Sequence, residues 1–265
     1  MIHLLGIPYD KNSSYLQGSA LAPMKIRMMD KEGSSNRFSE YGDEISEGIT
    51  FRDLGDMQLG DLEPAGAFKT IREKITGILN PPDQLICLGG DHSISWPVID
   101  AFTAAYPELH ILHFDAHTDL YHNFEDNPYS HASPFARLME SGKIASLTQM
   151  GIRTLTAHQR KQAERFGVNM IEMKAFSTDF LNHLKSPLYI SLDMDVLDPA
   201  FAPGVSHHEP GGFSTRELID MIQRIKSTVA GADIVEYNPA RDVENITAMA
   251  AYKLFKEIAG VMMRS

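Results

Sequence analysis

Short apolar runs recur along the chain, at residues 2–7, 84–88, 109–114, 147–151, 188–192 and 233–235, and each ends abruptly in turn-forming or acidic residues. Runs this short and this continuously apolar read as strands buried on both faces, the pattern of a parallel sheet. Between them, residues 66–79, 93–105, 156–166, 214–229 and 244–258 carry apolar residues at helical spacing. Strand alternating with helix predicts an α/β fold, a three-layer α/β/α arrangement with a mostly parallel sheet, in which ligands sit beyond the carboxyl ends of the strands. Residues 30–46, polar and rich in Ser, Gly and Glu, read as a surface excursion. No repeat or linker divides the chain, so one domain is expected over 1–265.

Charge narrows the partners. Acidic residues outnumber Lys and Arg 35 to 24, for a net charge of -11. Nucleic-acid backbones require the opposite excess, so a small cationic ligand suits the chain better. No tract is apolar enough to span a bilayer, and no basic-then-apolar leader follows Met1, which points to the cytoplasm and away from membranes. The single cysteine, Cys87, lies within an apolar run, so no disulfide framework can form and a buried, inert thiol is expected.

The chemistry gathers where strands end. After 84–88 come Gly89-Gly90-Asp91-His92-Ser93, with glycines to turn the backbone, His92 at the carboxyl end and Ser93 as a helix cap. After 109–114 come Asp115-Ala116-His117-Thr118-Asp119, where alternation lets Asp115, His117 and Asp119 face one point. After 188–192, Asp193 and Asp195 share a face in the same way, while Asp198-Pro199 reads as a turn. Carboxylates this crowded repel unless a cation compensates them. Mixed imidazole and carboxylate donors suit Mn(II), with Zn, Co or Fe as alternatives, and the lack of thiolates argues against a structural zinc. Four carboxylates exceed the need of one divalent ion. Two ions would balance them and lower the pKa of a shared water toward neutrality, which supplies a nucleophile without Ser or Cys.

These three motifs, with Ala202-Pro203-Gly204, the opening Gly6-Ile7-Pro8-Tyr9-Asp10 and the closing Val235-Glu236-Tyr237-Asn238-Pro239, resemble the signatures of the ureohydrolase (arginase and agmatinase) family in order and spacing. The resemblance implies two Mn(II) ions, with His92, Asp115, Asp119 and Asp193 around one or bridging, and His117 and Asp195 completing the other. Asp119 would also hydrogen-bond the hydroxide between them. It implies that His131 shuttles protons beside the substrate. Glu236 would pair with a guanidinium, whose forked donors suit a carboxylate. The alternative for Glu236 is a salt bridge with Arg241. The reaction implied is hydrolysis of a guanidino compound to urea and an amine.

The loop 119–131 and Glu209-Pro210-Gly211-Gly212 look closer to agmatinases than to arginases. Agmatine is therefore the expected substrate, with Glu209, Glu125 or Asp126 forming an acidic mouth. His207-His208 departs from the agmatinase pattern and keeps guanidinobutyrate, another guanidino acid, arginine or formiminoglutamate open. A catalytically silent metal-binding relative would have lost a ligand, and none is lost. A one-zinc deacetylase of this fold does not account for His92 and the 115/117/119 set. By resemblance a homo-oligomer, trimer or hexamer, is expected.

Overall fold

The computed structural model describes residues 1–264, and among them every strand belongs to one sheet. In chain order the strands are β1 (Ile2–Ile7), β2 (Phe51–Asp56), β3 (Gln84–Gly89), β4 (His110–Phe114), β5 (Ser146–Ile152), β6 (Asn169–Glu172), β7 (Leu188–Asp193) and β8 (Val229–Val235). All their pairings are parallel, in the order β2-β1-β3-β8-β7-β4-β5-β6. The six runs anticipated from apolarity are all strands. The two unanticipated strands, β2 and β6, are the edges, where Arg52, Asp53 and Asp56 or Asn169 and Glu172 interrupt the apolar signal. Edge strands need bury only one flank, and charge there discourages pairing with another chain.

Helices cover both faces: α1 (Ala22–Lys31), α6 (Thr215–Gln223) and α7 (Ile246–Arg264) on one, α2 (Pro64–Ile78), α3 (Ser95–Ala105), α4 (Pro134–Glu140) and α5 (Ala157–Phe166) on the other. Alternate residues of one strand feed opposite cores, as Ile86 and Leu88 do on one side and Leu85 and Cys87 on the other. Cys87 is a free, fully buried thiol, and burial pushes its pKa well up. Helix α6 begins with a capping box between Ser214 and Glu217, but it stops at Gln223. The apolar residues from Val229 that looked like its continuation start β8 instead. Among the described residues, no helix is long and apolar enough to cross a membrane.

The sheet order sets up the site. The four central strands β3, β8, β7 and β4 are neighbours although they lie far apart in sequence, and their carboxyl ends are in register through Leu88↔Ile234, Asp193↔Val235 and Phe114↔Leu192. All four strands are buried on both faces, so the polar residues just beyond them open at one edge of a dry scaffold.

Candidate functional site

The three sequence motifs converge at that edge. Nδ1 of His92 lies 3.2 Å from Asp115 Oδ2, 3.1 Å from Asp119 Oδ2 and 3.1 Å from Asp193 Oδ2. Nδ1 of His117 lies 3.3 Å from Asp115 Oδ1 and 3.1 Å from Asp195 Oδ2. Asp115 therefore spans the cluster, one oxygen toward each histidine. Asp119 adopts a left-handed backbone with φ 49°, as does Glu236 with φ 64°. For non-glycine residues this conformation costs on the order of 1–3 kcal/mol and concentrates at functional sites.

Several supporting residues were not anticipated. His113, inside β4, sits two residues before Asp115 and so on the same side of the strand. Gln149 donates to its Nδ1 at 3.0 Å, which leaves Nε2 to donate to Asp115 Oδ2 at 2.8 Å. His92 Nε2 meets Ser191 Oγ at 3.0 Å, and Ser191 donates to buried Asp233 at 2.6 Å, which also accepts from Tyr189 at 2.9 Å. Arg153 donates to the main-chain oxygens of Asp195 and Glu209, tying the Asp195 turn to the 209 loop. The signal for His113 and Ser191 was present as alternation with Asp115 and Asp193. Asp233 and Arg153 carried none, because their partners come from other strands. The cap beside His92 also differs: Asp91 accepts from the Ser93 amide, so Asp91 and not Ser93 is the capping residue.

The electrostatics indicate a cation site. Burial, then repulsion from Asp195 and Asp115, pushes Asp193 well above the usual carboxylate range. Burial also raises Asp195. Asp115 is buried too, yet His113 and the other imidazoles hold it well below that range. Burial opposes charge on His92, but its three carboxylate neighbours raise it well above an ordinary histidine. Buried His92 Nδ1 nevertheless makes no hydrogen bond although three carboxylate oxygens converge on it. A polar atom orphaned amid acceptors is what a metal donor set looks like without its ion. The set fits two divalent cations, one facing His92 and one facing His117. Geometry alone would also allow His92, His113 and Asp115 as a trio. With both its nitrogens engaged, His113 is better placed to orient Asp115 than to bind an ion.

A cavity of about 240 Å³ opens onto this cluster, lined by His117, Asp119, Asp193 and Asp195 on its floor. His131 and Glu236 form one wall. Glu236 Oε1 accepts from His131 Nδ1 at 2.8 Å and from the His92 amide at 2.9 Å. Its pair is thus His131 rather than Arg241, which reaches toward His208. Burial would raise Glu236, but His131 more than offsets this and holds its carboxyl below the usual value. Burial opposes charge on His131, yet Glu236 brings its pKa to about 9. Ser14, from the loop after β1, lines the cavity against His131, and His207 lines it between the rings of Tyr15, His117 and His131. Among the described residues, the acids expected at the mouth are not part of the cavity lining. Glu125 and Asp126 are exposed and, like Glu209, do not line the cavity. Glu209 instead reaches to 3.7 Å from His117 Nε2. Tyr121, Phe124, Thr154, Thr156 and Gln159 form the outer wall in their place.

The model of the Arginase family matches residues 1–260. Arginase 1, mitochondrial, of Arabidopsis thaliana is 45% identical over 97% of this chain and 79% of its own length. The arginase structure from Medicago truncatula superimposes with a TM-score of 0.94 at 41% identity, covering 98% of this chain and 87% of that one. An agmatinase from Bacillus cereus is 33% identical over 96% of this chain and 89% of its own length. With a matching sheet, an intact set of His and Asp donors and a family match along nearly its whole length, the chain belongs to the arginase family of binuclear manganese hydrolases.

Proposed function

We propose that the protein hydrolyses the guanidinium group of L-arginine, releasing urea and ornithine. The observation that carries guanidinium recognition is the state of Glu236. Its Oε1 is engaged twice, whereas Oε2 accepts no hydrogen bond among the described residues, on a side chain that is only 7% exposed and lines the cavity. A carboxylate oxygen that lines the cavity without a donor suits the forked N–H groups of a guanidinium. The choice of arginine rests on the identities of the relatives, 45% for an arginase and 33% for an agmatinase.

His92, Asp115, Asp119 and Asp193 would hold one manganese, with His117 and Asp195, helped by Asp115 and Asp193, holding the other. Bound there, the two ions supply an activated water as nucleophile and offset the crowded carboxylates. Glu236 would hold the guanidinium in the cavity that Asp119 and Asp193 also line. Asp119 accepts a proton as the nucleophile adds. His131 then delivers a proton to the departing nitrogen, which takes the C–N bonding pair and leaves as an amine.

Agmatine is the second reading. Among the described residues no Lys or Arg lines the cavity to receive an α-carboxylate, so an arginine would have to rely on neutral donors such as Thr154, Thr156 and Gln159. Incubating the Mn(II)-loaded protein with arginine, agmatine, 4-guanidinobutyrate and formiminoglutamate, and measuring urea, amine and formamide, decides between them. Urea from arginine at the highest kcat/KM is the expected result, and preference for another substrate rejects the arginine assignment. We further infer residence in the cytoplasm and assembly as a homotrimer or homohexamer, checked by cell fractionation and sedimentation. The Arabidopsis relative carries mitochondrial in its name.

A further inference from the structure

We propose that Ser14 is a positioning residue for His131, making Nε2 the ring atom that gives up and recovers the proton. The inference rests on the role given to His131 above. Two contacts bracket the imidazole. Nδ1 lies 2.8 Å from Glu236 Oε1, an oxygen that only accepts, so Nδ1 keeps its hydrogen. Nε2 lies 3.1 Å from the backbone nitrogen of Ser14 and 2.8 Å from its Oγ. The amide only donates, and so favours an Nε2 with a bare lone pair. The hydroxyl can turn: it accepts from Nε2–H in the imidazolium and donates to Nε2 in the neutral ring.

The ring thus has a partner at Nε2 both before and after it acts. As the Nε2–H bond breaks, a new N–H bond forms on the departing amine nitrogen, and the ring stays behind neutral with Nδ1–H on Glu236. The Ser14 N–H and O–H then both point at the emptied lone pair. Asp91, Asp119 and His207 also face the ring, and none of them is hydrogen-bonded to it among the described residues. Ser14 is exposed at the cavity while His131 is 8% exposed, so the hydroxyl joins the buried ring to the open cavity.

The Ser14 loop is anchored without this hydroxyl. Asp91 Oδ2 accepts from the Asn12 amide at 3.0 Å and from Ser13 Oγ at 3.3 Å, Asn12 Nδ2 donates to Ser93 Oγ at 3.0 Å, and the His131 amide donates to the Asn12 carbonyl at 3.2 Å. Ser14→Ala therefore removes Oγ and leaves the loop in place.

The test uses protein labelled with ¹⁵N-histidine and loaded with diamagnetic Zn(II), with His131 assigned through His131→Asn. At a pH where the ring is neutral, Nδ1 is expected to be protonated and Nε2 to be the acceptor. Ser14→Ala should shift the Nε2 resonance far more than Nδ1, and Ser14→Thr should restore it. In the manganese enzyme Ser14→Ala should lower kcat about 5- to 10-fold, the worth of one hydrogen bond, with KM nearly unchanged and Thr restoring the rate. An Nε2 resonance that does not move, or a neutral ring protonated at Nε2, overturns the proposal. The resonance measurement needs no turnover, so a wild type that releases no urea sinks the proposed function and leaves the Ser14 result to stand or fall by itself.

Discussion

Around His92 the donor cluster is closed, whereas around His117 it is open. The side chains of His92, Asp115, Asp193 and Asp119 are 1–9% exposed, while that of His117 is 24% exposed beside a Glu209 that is 34% exposed. The far nitrogen of His92 is held through Ser191 to Asp233, with all three side chains buried. Among the described residues, the far nitrogen of His117 meets only the Glu209 carboxylate, at 3.7 Å. A ligand oriented by a buried second contact keeps its geometry when the ion leaves, and an exposed one does not. Two sites of similar donors should thus differ in how tightly they hold metal, the closed half more firmly than the open one.

Asp115 reaches both halves, so Asp115→Ala should have the largest effect: loss of both ions and a fall in kcat of at least about 1000-fold, with circular dichroism checking that the fold persists. Retention of two manganese ions per subunit would show that the halves do not share this residue. Asp233→Asn should act on the closed half alone, weakening its ion by about 10- to 100-fold as an outer-shell loss does. Chelator titration should then show the two affinities drawing together; equal weakening at both sites would break the contrast.

Acid should weaken both halves. Carboxylate neighbours raise His92 and His117 well above an ordinary imidazole, against the effect of burial. Each must lose its proton to take an ion, so affinity rises with pH through the range where the imidazolium would otherwise persist. The change is about 10-fold per pH unit for each proton displaced, read by manganese titration at pH 7 and 8. The smallest effect is expected from Glu209→Gln, no more than about 5-fold on the open half, because a partly exposed charge contributes little. A loss matching that of Asp233→Asn would mean that Glu209 supports His117 as firmly as Asp233 supports His92.

Much of this arrangement was legible in the sequence, for identifiable reasons. The central strands are apolar on both faces, so they stand out without any knowledge of their neighbours. The edge strand β2 has one flank free to carry Arg52, Asp53 and Asp56, and the signal disappears there. Five of the six candidate donors, Asp115, His117, Asp119, Asp193 and Asp195, recur at i, i+2 spacing where β4 and β7 end, so alternation groups them, whereas His92 shares only its place at another strand's end. Glu125 and Asp126 suit the mouth equally well by sequence, but both are exposed and neither lines the cavity, and nothing local distinguishes a loop carboxylate left in solvent from one that lines a site. Ser14 and Asp233 were invisible for the converse reason, since their partners lie 117 and 42 residues away.

Short stretches of sequence specify the alternating parallel architecture and the acidic and histidine clusters at strand ends, because hydrophobic periodicity and i, i+2 spacing are properties of a few consecutive residues. Tertiary structure alone decided which strands adjoin, that β8 lies between β3 and β7 to bring Glu236 beside His92, and which histidine is closed in. Those outcomes depend on how helices pack over two faces and on which polar groups are left away from water. They are sums over residues distant in the chain, and no short window contains them.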